Sequence, residues 1–124
     1  MNDDHYKEKL SEEAFKVCRL AATERPFTGI YNDHWQTGTY LCACCDQPLF
    51  ESASKFNAGC GWPSFSASID NQVNYLKDDS LAMQRVEIQC SHCQSHLGHV
   101  FDDGPEPTGK RYCVNSLSLS FSKS

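Results

Sequence analysis

Eight cysteines in a chain of 124 residues divide by spacing into those suited to a metal and those free to react. Cys42-Ala43-Cys44-Cys45 and Cys90-Ser91-His92-Cys93 each contain a C-x-x-C pair. Two such pairs supply the four thiolates of a closed tetrahedral zinc site, each sulfur about 2.3 Å from the ion. The expected ligands are Cys42, Cys45, Cys90 and Cys93. Cys44 could replace a neighbour, but the two-residue gap favours Cys42 and Cys45, and His92 reads as a bystander. The long stretch between the pairs implies an ion that pins two separate parts of a sheet together. A closed set of four sulfurs leaves no coordination position for water, so the zinc is expected to stabilise the fold and not to catalyse.

Cys18, Cys44, Cys60 and Cys113 remain. Lys110 to Phe121 reads as a strand, on which Arg111, Cys113 and Asn115 share one face. Leu117, Leu119 and Phe121 mark that face as the inner one. A guanidinium beside a thiol favours the thiolate, the nucleophilic form. The competing reading makes Cys113 a core cysteine with incidental polar neighbours, and the segment alone does not decide between them. Gly59-Cys60-Gly61-Trp62-Pro63-Ser64-Phe65 sets a second thiol between glycines, whose backbone freedom could let it swing toward another sulfur. Cys44 and Cys18 stay open as alternatives for that role. His96-Leu97-Gly98-His99-Val100-Phe101 adds two imidazoles ahead of Asp102 and Asp103. With no H-E-x-x-H motif beside them, these histidines suit hydrogen bonding or proton donation near a thiol.

The elements that must position these groups differ along the chain. Ser11 is an N-cap, Glu12 and Glu13 suit a helix first turn, and Leu10 with Phe15 forms a hydrophobic staple. Ala14, Val17, Cys18 and Ala21 continue an apolar stripe that Pro26 limits. From residue 28 onward the pattern is short and β-like, as where Val86, Ile88 and Cys90 alternate with Arg85, Glu87 and Gln89. Turns are expected at residues 59–61, 70–71 and 102–105, and Ser122-Lys123-Ser124 reads as a frayed end. The expected architecture is mainly β with a short N-terminal helical segment. It is expected to form a single domain over 1–124, with a helical extension (1–25) ahead of a β-rich region (26–121).

A formal charge of -5 disfavours nucleic acid as a partner. No apolar run reaches membrane-spanning length. The Met1-Asn2-Asp3-Asp4-His5 start lacks a secretory layout, so a cytoplasmic location is expected, and the negative charge and small size favour a monomer. In a reducing compartment dense cysteine means metal or catalysis; a secreted disulfide scaffold is the less favoured reading.

Taken in order, C-x-x-C, Gly-Cys-Gly-Trp-Pro-Ser-Phe, C-x-x-C, His-Leu-Gly-His-Val-Phe, Asp-Gly-Pro and Arg-Tyr-Cys-Val-Asn-Ser resemble the B-type methionine-R-sulfoxide reductases. The likeness runs from about Pro26 to Phe121. It implies two small antiparallel sheets with a structural zinc away from the active site. It implies Cys113 as nucleophile, Cys60 as resolving cysteine and Trp62 against the substrate's S-methyl group. His96, His99 and Asn115 would bind or protonate the sulfoxide oxygen, and Asp103 would pair with Arg111. The implied partners are methionine R-sulfoxide, protein-bound or free, and thioredoxin as reductant. Preference for the R epimer rests on the resemblance alone. The chief rival is a non-catalytic, zinc-stabilised interaction module in which Cys113 and Cys60 are dispensable. A zinc hydrolase or deaminase would need an open three-ligand site with a catalytic Glu, which is not apparent.

Overall fold

A computed structural model describes residues 8–78 and 85–123. Met1 to His5 and Ser124 lie outside the described residues. Helix α1 spans Glu12–Leu20, and the Ser11 side chain accepts a hydrogen bond from the Ala14 amide at 3.1 Å, as its cap position dictates. Ala14, Val17 and Cys18 are buried, while Leu10 and Phe15 pack at the edge of the core. Ala21 departs from the expected stripe. It takes the left-handed conformation at φ 58° and ends the helix five residues short of Pro26. Its amide bonds back to the Lys16 carbonyl, so the terminus is satisfied locally before the proline is reached.

Among the described residues nine strands follow: β1 Gly38–Cys42, β2 Pro48–Glu51, β3 Lys55–Phe56, β4 Ser64–Phe65, β5 Val73–Asp78, β6 Arg85–Cys90, β7 His96–Phe101, β8 Arg111–Val114 and β9 Leu119–Lys123. They form a three-stranded sheet, β2-β1-β9, and a six-stranded sheet, β3-β4-β8-β7-β6-β5, with all pairings antiparallel. The predicted two-sheet class is what the chain adopts. Apolar side chains from both sheets meet between them. Phe50 of β2 stacks on Phe65 of β4 at 4.4 Å between centroids, and Tyr40 meets Phe65 edge-on at 5.2 Å.

Two expectations for the last segment need correction. Residues 110–121 are not one strand. A 3-10 turn at Ser116–Ser118 carries the chain from β8 in the larger sheet to β9 in the smaller one. The turn resets the alternation, so Tyr112 and Val114 are the buried positions of β8, and Arg111 with Cys113 points to the opposite face. Leu117, Leu119 and Phe121 therefore cannot mark the face of Cys113. Ser122 and Lys123 are also not frayed, because they pair with Thr39 and Gly38 of β1.

Helix α1 packs on β7 and on the Ser116–Ser118 turn. Gly98 of β7 sits opposite Val114, and a Cβ there would lie 1.9 Å from the Cys113 carbonyl oxygen. Glycine is what lets β8 close against β7 at the reactive position.

Candidate active site

Antiparallel register assembles the site from the sheet outward. Ser64 of β4 lies opposite Cys113 of β8, Cys113 opposite His99 of β7, and His99 opposite Glu87 of β6. These positions share the face turned away from the core. The loop before β4 folds over it, with Gly59 at φ 70° and Gly61 at φ 95°, which brings Cys60 and Trp62 to Cys113. The result is an open cleft of about 270 Å³. Cys60, Trp62, His99, Arg111, Cys113 and Asn115 line it, together with Thr23, Arg85 and Phe101.

The Cys60 and Cys113 sulfurs are 3.8 Å apart. Cys60 also approaches the Ser64 hydroxyl at 3.3 Å. Burial, and then the neighbouring Cys60, push the Cys113 thiol up to about 12, against the downward pull of Arg111. For Cys60 burial also raises the value, but hydrogen bonds from Ser64, the Trp62 backbone and Cys113 bring it below the ordinary thiol range. Two sulfurs this close disfavour each other's second negative charge, and of the two Cys60 is the more readily ionised. Arg111 favours the Cys113 thiolate in the direction expected, but burial outweighs it.

Arg111 is held in place. Its Nε and NH2 donate to the two Asp103 oxygens at 2.8 and 3.2 Å, and its guanidinium lies 4.4 Å from the Phe101 ring centre. The Asp103–Arg111 pair is present as the resemblance implied. Trp62 donates its indole N–H to the Glu24 carbonyl at 3.1 Å. Asn115 is more committed than the sequence suggested. Its Oδ1 accepts from the Glu24 amide at 3.0 Å and its Nδ2 donates to the Leu97 carbonyl at 3.0 Å. His99 Nε2 contacts Asp78 Oδ2 at 2.7 Å. His96 does not line the cleft; it is buried behind it, with Nδ1 2.7 Å from Glu87 Oε2.

Glu24 is a residue that sequence reasoning missed. Its backbone holds both Trp62 and Asn115, and its Oε1 accepts from the Leu117 amide at 2.9 Å. It is only 8% exposed, and burial raises its pKa. A lone glutamate after a helix offers no pattern that would reveal this. Arg85 and Glu87 were likewise read only as strand residues, and Asp78 was not singled out.

The four C-x-x-C sulfurs form a second cluster, all within 4.8 Å of one another. Cys42 and Cys93 are 3.6 Å apart, and Cys45 and Cys90 3.5 Å. A tetrahedron with bonds of about 2.3 Å has edges of about 3.8 Å, so the set fits zinc closely. Two matching knuckles build it. The Asp46 and Gln94 amides bond to the Cys42 and Cys90 carbonyls, at φ 65° and 61° respectively. Contacts with neighbouring sulfurs, Cys44 for Cys42 and Cys42 for Cys90, push those thiols up while Cys42 pulls Cys93 down; a divalent cation would hold all four as thiolates. The helical segment braces both knuckles: Lys9 donates to the Cys44 carbonyl at 2.6 Å and Arg19 to the Cys93 carbonyl at 2.7 Å. Cys42 ends a strand of the smaller sheet and Cys90 a strand of the larger, so the cluster ties the two sheets together. Cys18 and Cys44 are buried within the core cluster that contains three of these four cysteines. Neither lines the cleft.

Comparison with known proteins agrees with this geometry. The SelR domain model matches residues 10–123. A peptide methionine sulfoxide reductase MsrB of Alteromonas mediterranea is 59% identical over 94% of this chain and 82% of its own length. Another of the same description, from Saccharophagus degradans, is 54% identical over 98% of this chain and 92% of its own. Among solved structures, the Mis18 'Yippee-like' domain aligns with a TM-score of 0.54 at 17% identity, covering 72% of this chain and 98% of that one. At that identity the likeness concerns the fold alone. The family model spans both knuckles and the cleft, the MsrB relatives are more than half identical over nearly the whole chain, and the chain belongs to the SelR family of MsrB-type methionine sulfoxide reductases.

Proposed function

We propose that the protein reduces methionine R-sulfoxide, in peptides and oxidised proteins, to methionine. The observation that carries this reading is the pair of sulfurs 3.8 Å apart on the wall of a cleft that also presents an indole and an imidazole. The substrate's S-methyl group lies against Trp62, and its oxygen points to the side of His99 and Asn115. The Cys113 sulfur attacks as the sulfoxide S–O bond breaks. The electron pair of that bond returns to methionine, and the oxygen passes to Cys113, where it carries the proton of the former thiol. His99, when protonated, stabilises the negative charge that develops on the oxygen. The products are methionine and a Cys113 sulfenic acid. The Cys60 thiol then displaces hydroxide from that sulfur, giving a disulfide and water. An external dithiol, for which thioredoxin is our candidate, restores both thiols by exchange.

Cys42, Cys45, Cys90 and Cys93 would hold a structural zinc, whose contribution is to join the two sheets. All the chemistry above is done by side chains of one chain, in keeping with a monomer working in a reducing cytoplasm. Incubation of the reduced protein with separate R and S sulfoxide peptides, and with free methionine sulfoxide, tests the reading by product analysis. Turnover of the R peptide supports it; failure to reduce either epimer rejects it.

A further inference from the structure

The reading above gives His99 a proton to use but not the means of keeping it. His99 is held at Nε2 by Asp78 Oδ2 at 2.7 Å, and the same oxygen accepts from Arg85 NH2 at 3.2 Å. The arrangement is built into the sheet: Asp78 ends β5 directly opposite Arg85, which begins β6, and His99 lies across β6 from them. The side chains are 13% (His99), 17% (Asp78) and 19% (Arg85) exposed, so their charges act through little water. The neighbouring histidine has a separate carboxylate, since His96 is paired with Glu87 at 2.7 Å.

We propose that Asp78, gripped by Arg85, is a positioning residue that orients the His99 ring and supports its protonated form beside Cys113. This rests on the reductase reading. With Nε2 committed to a carboxylate, Nδ1 is the nitrogen left for the cleft. In the neutral ring that nitrogen is a lone pair and can only accept; it donates only in the imidazolium. Asp78 therefore both chooses the tautomer and favours the cation, as a carboxylate behind a histidine does elsewhere. Other charged or titratable groups also face this ring. Arg85 and Glu87 approach from β6, His96 from its own strand, and Arg111 and Cys113 from β8. Burial lowers the proton affinity of His99 most, Asp78 restores part of it, and Arg85 with His96 works against that. Asp78 and Arg85 thus act on His99 with opposite signs.

The test is a pair of variants read two ways. Asp78→Asn keeps an acceptor for Nε2–H but removes the charge. The alkaline limb of R-sulfoxide reduction should move down by about one pH unit, a roughly tenfold loss of kcat on that limb with KM little changed. Arg85→Gln should move the same limb upward. Titration of the His99 ring by NMR in the substrate-free protein should show the same opposed shifts. Limbs that stay in place, or that move together, overturn the proposal, as does an unshifted ring titration. Should Asp78→Asn not fold, the upward shift in Arg85→Gln decides alone. The ring titration needs no activity, so it separates failure of this inference from failure of the reductase reading.

Discussion

The sulfurs of Cys42 and Cys93 lie 3.6 Å apart and those of Cys60 and Cys113 3.8 Å apart, yet the surroundings give the two sets different chemistry. The first belongs to a set of four, three of them fully buried, on two knuckles whose backbones are tied down on every side. The second is a pair on the wall of an open cleft, with an imidazole, a guanidinium and an indole within the same space. From Cys90 to Glu87 is three residues along β6, about 10 Å, and from β6 to β8 is two strand spacings, also about 10 Å. On the order of 14 Å thus separates a closed cluster of sulfurs from a pair that opens onto the cleft. Sulfur proximity alone does not decide reactivity; closure and access do.

The comparison can be broken most severely at Cys113. Cys113→Ser should lower sulfoxide reduction by about ten-thousandfold or more while leaving metal content and melting temperature near wild type. Activity within tenfold of wild type would move the nucleophile elsewhere, Cys60 being the candidate because its sulfur shares the cleft wall and ionises more readily. Next is the metal set. Cys90→Ser, or removal of the ion by a chelator, should destabilise the fold by about 4 kcal/mol or more, read as zinc release and an earlier thermal transition. An unchanged transition would mean that the knuckles stand without a cation.

A subtler break separates the two sulfurs of the reactive pair. Cys60→Ser should preserve one equivalent of methionine per chain in a single turnover and reduce dithiol-driven cycling by about a hundredfold. Cycling that persists would call Cys44 or Cys18 into play, although both are buried away from the cleft. The smallest effect concerns Glu24. Its raised pKa means that the folded form holds this proton more tightly than the unfolded chain does. Stability from this group is therefore present at low pH and lost as pH rises from the ordinary carboxylate range through the raised value. Glu24→Gln should remove that slope, a change of about 2–4 °C in melting temperature across the window. Parallel curves for the two proteins would show that Glu24 ionises alike in the folded and unfolded chain.

What the sequence made legible follows the length scale of each signal. The metal ligands were readable because two residues between cysteines is a local constraint, and the helix start was readable because Ser11 caps within one turn. The face of Cys113 was misread because its partner signals, Leu117 to Phe121, lie beyond a 3-10 turn with no glycine or proline to announce it. Arg111 and Cys113 share a face in either register, so the pairing survived the wrong reason for it. Asp78, Arg85 and Glu24 were invisible for a different cause. Asp78 reaches His99 across 21 positions and Glu24 reaches Trp62 and Asn115 across 38 and 91, while Arg85 acts through Asp78; all are ordinary charged residues that only the folded chain brings to the site.

The central claim is that one sulfur attacks and a second, 3.8 Å away, resolves. Reduced protein mixed with one equivalent of R-sulfoxide peptide and no dithiol, then digested without reduction, tests it directly by mass spectrometry. The account predicts one methionine released per chain and a single new disulfide joining the Cys60 and Cys113 peptides, with the four knuckle cysteines still thiols. A disulfide that draws on Cys42, Cys45, Cys90 or Cys93, or methionine formed without any change at Cys113, would contradict it.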